Sequence, residues 1–157
     1  MASINTGLDA NARTAVAEAL NGVLADTYVL YMKTHAFHWN VTGPQFPVLH
    51  AMFEQHYREM WAALDEIAER VRALGAFAPA SGRAFAKLAT IDSADEAPPA
   101  ATAMIKILLD GHETLIRRAR QALDTAGEAG DAASEDLLTI RLQTHEKTAW
   151  MLRAMLE

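Results

Sequence analysis

The stretch from Phe46 to Leu74, FPVLHAMFEQHYREMWAALDEIAERVRAL, decides the fold, because an apolar stripe and a polar pattern run through it together. Leu49, Met52, Phe53, Met60, Leu64, Ile67, Val71 and Leu74 recur close to every 3.6 residues, which predicts a long helix with one buried face. Gly75 stands where a left-handed C-terminal cap belongs. Upstream, a first helix is predicted from about Asp9 to Asn40 on Val16, Ala19, Leu20, Val23, Leu24 and Leu30, and Val41-Thr42-Gly43-Pro44 breaks it. Downstream, Ala76 to Ala100 is a connector longer than most bundle loops, with a short helix over Gly82–Ala89 and Ser81 as its N-cap. Pro98 and Pro99 then open a third long helix reaching about Ala126 through Met104, Ile107, Leu108, Leu115, Ile116 and Leu123. Gly127–Gly130 is a turn, and the last helix runs from Asp131 to Met155 with a capping start in Ser134.

Two helical hairpins joined by one crossover predict an all-α, ferritin-like four-helix bundle with a short helix between helices 2 and 3 of the bundle. At 157 residues the chain reads as a single domain, 1–157. Connectivity alone assigns no chemistry.

Composition narrows the classes. No run of eighteen apolar residues exists, so no membrane span is expected. The start, MASINTGLDANART, has no apolar signal core, which argues against secretion. The absence of Cys removes disulfides and thiolate ligands and suits a reducing cytoplasm. Net charge is −6, and neither end carries a basic tail, which argues against nucleic acid as the main partner. The best basic cluster, Arg117, Arg118 and Arg120, reads as the solvated face of a helix.

The chemistry-bearing residues gather between positions 35 and 69. His50 and Glu54 are four apart on the second helix, as are Asp65 and Glu69, so each pair shares a face. Eleven residues separate Glu54 from Asp65, which puts the pairs roughly 16 Å apart along the axis. One metal ion, with bonds of about 2 Å, cannot bridge that span. A second copy of the helix, packed antiparallel across a two-fold axis, can bring Asp65 and Glu69 beside the other copy's His50 and Glu54. His38, just before the turn, can lean into the same place. Two imidazoles and three carboxylates suit a first-row metal cycling between Fe(II) and Fe(III). None of the six His has a Glu three residues before it, so the usual intra-bundle di-iron pattern is missing. By spacing alone, metal binding and a plain solvated face stand about equally open.

The run His38-Trp39-Asn40-Val41-Thr42-Gly43-Pro44, then Phe46, Leu49-His50, Met52-Phe53-Glu54 and Asp65-Glu66-Ile67-Ala68-Glu69-Arg70 closely resembles the Dps family of DNA-protecting miniferritins. The likeness covers nearly the whole chain. It loosens in the connector, where the acidic pair Asp95-Glu96 precedes the third helix, and returns with His145-Glu146-Lys147 and Ala149-Trp150-Met151-Leu152.

The resemblance implies a ferroxidase: a dodecameric hollow shell that oxidises Fe(II), preferentially with hydrogen peroxide, and stores ferric mineral. It implies iron ligands His38, His50 and Glu54 on one side of a two-fold interface, and Asp65 and Glu69 on the other. The third ligand is often Asp in the family, so Glu54 reaches about one methylene further. Trp39 looks like the family's electron donor near the iron, with interface packing as the plainer reading, and His35 reads as a surface residue or a partner of His38. Acids near the start of the last helix line three-fold pores in the family, which here implies Asp131, Glu135 and, first of all, Asp136; Ala132 stands where some members have Asp. Glu59 and Glu66 are candidates for the mineral-facing surface. Members that grip DNA use Lys/Arg-rich ends, so weak or absent DNA binding is expected here, with protection by removal of iron and peroxide. The expected location is cytoplasmic, free or on the nucleoid. The rival reading is a nucleoid-associated DNA-binding protein in which iron oxidation is secondary.

Overall fold

The computed structural model describes residues 4–92 and 97–157, and the pair Asp95-Glu96 lies outside them. The described residues form helices α1 (Ala10–Asn40), α2 (Phe46–Ala73), α3 (Gly82–Leu88), α4 (Ala101–Glu128) and α5 (Ala132–Ala154). α1 packs along α2, α4 along α5, and the two hairpins meet chiefly through α1 and α4. The short α3, in the crossover, lies on α1. This is the expected all-α bundle. No described helix is long and apolar enough to cross a membrane.

Leu20, Leu30, Phe53, Ile67, Leu108, Leu115 and Leu138 are completely buried, and each such side chain contributes about 1.5–3 kcal/mol. α1 departs from a one-faced helix, because α2, α3 and α4 cover it from several sides. It therefore buries polar residues the stripe did not mark. The hydroxyls of Thr27 and Thr34 donate to the carbonyls of Val23 and Leu30 one turn back. Asp26, fully buried, accepts from Arg118 at 2.8 Å, from the Thr90 amide and hydroxyl, and from the Ile91 amide. That carboxylate pins the end of the crossover to α1 and α4. Gly22 makes room for it: a Cβ there would stand 2.5 Å from the Arg118 guanidinium.

Several sequence expectations shift. Arg118 belongs to this buried network and leaves the solvated face assigned to it. Pro98 and Pro99 precede α4, whose N-cap is Ala100. α4 continues through Glu128, so the following turn is only Ala129 and Gly130, with Gly130 at φ 67°. α5 is capped by Asp131, whose carboxylate accepts from the Ser134 amide and hydroxyl at 3.2 and 2.6 Å. Ser134 is thus the capped residue and not the cap.

The turn between α1 and α2 positions the site. Val41 closes α1 by donating to the Phe37 carbonyl, and Gly43 takes φ 102°, a left-handed conformation that reverses the chain cheaply only for glycine. The reversal is short enough to bring the last turn of α1 opposite the first turn of α2.

Candidate metal centre

His38 and His50 face each other across that turn in a reciprocal arrangement. Nδ1 of His38 meets the His50 carbonyl at 2.8 Å, and Nδ1 of His50 meets the His38 carbonyl at 2.9 Å. A carbonyl only accepts, so both Nδ1 atoms carry the proton and both Nε2 atoms hold a bare lone pair. The rings stack at 3.8 Å between centroids. Backbone carbonyls orienting a ring through Nδ1–H are the usual support of a metal-binding imidazole.

Glu54 lies one turn further along α2, and both Nε and NH2 of Arg58 grip its Oε1, at 2.8 and 2.6 Å. That hydrogen bond, foremost, holds the Glu54 carboxyl below its ordinary range; its own desolvation opposes this, and the Arg58 charge adds to it. The pair is exposed, so a multivalent cation can displace the guanidinium at little cost. Glu54 and Arg58 stand at i, i+4 on α2, the helical spacing at which opposite charges pair.

Asp65 and Glu69 sit exposed further down α2. Asp65 lines a groove with Trp61, Tyr28 and Phe85, and Glu69 lines another with Glu66, Asp136 and Ile140. Within one chain, no three His or carboxylate groups among the described residues converge closely enough to hold a metal ion. The structure brings His38 and His50 into contact, with Glu54 one turn along α2 and short of a closed three-ligand site, and leaves Asp65 and Glu69 apart from them.

Aromatic rings surround the histidine pair. His35 stacks on Tyr57 at 3.8 Å, lies 4.2 Å from Trp39, and its Nδ1 bonds the Tyr31 hydroxyl at 3.2 Å. It is therefore packed and bonded, unlike a free surface His. Burial, ahead of the His38 and Arg58 charges, lowers its pKa. Trp39 and Trp61 remain about 60% exposed, at 60% and 62%, an unusual state for so large an apolar surface in one chain.

The acids near the start of α5 separate. Asp131 is 3% exposed and bound to Arg70 at 2.6 Å. Burial works to raise its pKa, and the bonds from Arg70 and Ser134 together outweigh that and lower it. A carboxylate spent on a buried ion pair and a helix cap cannot line a pore, so Asp131 is withdrawn from that role. Glu135 is half-buried and Asp136 exposed. Glu59 is gripped by Arg141 and is no free mineral-facing acid, whereas Glu66 is exposed.

A four-helix bundle with one crossover is the ferritin-like architecture, and the family model for the ferritin-like domain matches residues 17–157. A low temperature-induced protein of Nostoc is 43% identical over 100% of this chain and 88% of its own length. The DNA protection during starvation protein 2 of Bacillus anthracis is 37% identical over 90% of this chain and 96% of its own. The crystal structure of the Dps protein of Vibrio cholerae, described as one of the ferritin-like diiron-carboxylate proteins, superposes with a TM-score of 0.94 at 36% identity, covering 100% of this chain and 98% of that one. The chain belongs to the Dps family of ferritin-like proteins.

Proposed function

We propose that this chain is the subunit of an iron-oxidising, iron-storing shell that protects the cell and its DNA from oxidative damage. Fe(II) is the substrate and hydrogen peroxide the preferred oxidant. The observation that carries this reading is the reciprocal bonding of His38 and His50, which engages both Nδ1 atoms and leaves two Nε2 atoms side by side without a protein donor. Surface histidines have no reason to lock each other so; iron ligands do.

In this reading His38 and His50 bind Fe(II) through Nε2, and Glu54 leaves Arg58 to supply a carboxylate oxygen. Asp65 and Glu69 complete the site from a second copy of the chain, since α2 cannot bring its own pair within reach. Oxidation takes two electrons per peroxide, so that both oxygen atoms leave as water and no hydroxyl radical is released. Trp39, beside His35, stands ready as an electron donor when only one Fe(II) is present. The exposed Trp39 and Trp61 become covered in the dimer, and the full shell is a dodecamer built from six such dimers. Asp136, backed by Glu135, draws cations toward the interior, and Glu66 serves mineral growth. DNA binding is weak or absent. Besides the net charge of −6, the arginine cluster is already engaged, Arg117 with Thr114, Arg118 with Asp26 and Arg120 with Glu146.

The test is anaerobic loading with Fe(II) followed by peroxide, comparing the wild type with His50→Ala and Asp65→Ala. Both variants should lose iron oxidation by about 100-fold, given that even outer partners of a metal ligand are worth 10–100-fold. Wild-type rates in both would refute the reading.

A further inference from the structure

The three histidines away from the α1–α2 turn meet inside the bundle. His112 on α4 and His145 on α5 are 2% and 1% exposed, and their Nδ1 atoms lie 2.9 Å apart. His56 on α2 stands edge-on to His112, 6.2 Å between centroids. Arg141, one turn before His145, places NH2 3.3 Å from His145 Nε2 while NH1 and NH2 hold both carboxylate oxygens of Glu59 on α2.

The donors and acceptors admit one protonation state. A guanidinium only donates, so Nε2 of His145 is bare and its proton sits on Nδ1. That proton is given to Nδ1 of His112, which must also be bare, so the His112 proton sits on Nε2. This Nε2 is buried without a partner, as is Nδ1 of His56. A further proton on His112 sets Nδ1–H against Nδ1–H. A further proton on His145 sets Nε2–H against Arg141. The first clash is relieved only by moving the His145 proton to Nε2, so either way Arg141, which bridges α5 to Glu59 on α2, meets an N–H where it had an acceptor. A metal ion between the rings would face the Arg141 guanidinium, which favours a proton as the ligand to which the cluster responds.

The place of the cluster gives the break a consequence. α2 and α5 are the least packed of the neighbouring helices, and polar bridges span their seam: Arg141 to Glu59, and Arg70 to Asp131 and Ser134. We propose that the His112–His145 pair is a proton-operated latch, which holds the α2–α5 seam closed while both rings are neutral and releases it when either takes up a proton. The groups facing the pair are His56 and Glu59 from α2 and Arg141 from α5. From α1 the apolar Leu30 packs against Gly111, beside His112.

Burial, aided by the charges of His56 and Arg141, lowers the pKa of His112 to about 3. Burial, then His112 and Arg141, lowers that of His145 well below the ordinary value. Both groups bind protons more readily once exposed, at about pH 6.5. The closed state is therefore fully favoured above that value and loses ground as pH falls toward the folded values. Carboxylate bridges such as Arg70–Asp131 give way only lower, which leaves about pH 6.5 to 4.5 to the histidines.

Hydrogen–deuterium exchange of the assembled protein, corrected for intrinsic rates, tests this. Opening in the peptides around Glu59 and Arg141 should rise by about tenfold per pH unit over that window. Replacing both rings, His112→Gln with His145→Gln, keeps an acceptor for Arg141 and a donor between the two side chains but cannot titrate at either position; its opening should change by less than about twofold. His35→Gln, at the other site, should follow the wild type. Equal responses in wild type and the double variant would overturn the latch. Should circular dichroism find the double variant unfolded, the wild type alone decides. A rise confined to α2 and α5 supports the latch, and a rise shared by the α1–α4 seam, or no rise, overturns it.

Discussion

Two pairs of histidines in this protein are built from the same ring and put to opposite uses. At the α1–α2 turn, His38 and His50 each spend Nδ1 on a backbone carbonyl and keep Nε2 bare. In the bundle core, His112 and His145 spend their Nδ1 atoms on each other, and the remaining nitrogens meet Arg141 or nothing. A backbone carbonyl only accepts, so in the first pair Nδ1 carries the proton and the neutral rings leave Nε2 open. A second imidazole can titrate, so the other pair is fixed only while both stay neutral. What the other ring nitrogen bonds to decides the role.

The strongest way to break this contrast is to separate the two half-sites. Shells assembled from an equal mixture of His50→Ala and Asp65→Ala subunits should regain about a quarter of wild-type iron oxidation, since half the two-fold pairs are mixed and each mixed pair keeps one intact site of two. No recovery would mean that the ligands do not come from two chains. Arg141→Gln attacks the other pair. It leaves the half-exposed Glu59 and the buried His145 Nε2 without their donor and should lower stability by about 1–2 kcal/mol in urea unfolding, while iron oxidation by the folded fraction stays unchanged. A parallel loss of iron oxidation would mean that the two clusters are not independent. Glu54→Asp is a gentler change: iron titration should show about a two- to tenfold shift in affinity for the second Fe(II), as the shorter side chain reaches Arg58 less well. An unchanged titration would mean that the extra methylene of Glu54 makes no difference to how the second iron is held. The smallest effect is expected from Trp39→Phe, with iron oxidation within about twofold of wild type and a rise in spin-trapped hydroxyl radical when Fe(II) is limiting.

The long elements were legible because periodicity reports burial directly, and the stripe from Leu49 to Leu74 is the buried face of α2. The ends were less so. Asp131 and Ser134 both fit a cap, and only the coordinates decide which accepts and which donates. The site divided in the same way. His50–Glu54 and Asp65–Glu69 follow from helical spacing, and so does their separation. The His112–His145 pair did not, because the two lie 33 residues apart on different helices. No local pattern joins them.

The sequence by itself determined the helices, their pairing into two hairpins and the distance that keeps Asp65 and Glu69 from His50 and Glu54 within one chain. These depend on rise and periodicity, which are properties of a single helix. Tertiary structure alone decided that Asp26, Asp131 and Glu59 pair with Arg118, Arg70 and Arg141. It also decided that His38 and His50 lock each other's tautomers and that two distant histidines share the core. These depend on which side chain arrives within hydrogen-bonding distance, and that is settled only when the helices pack.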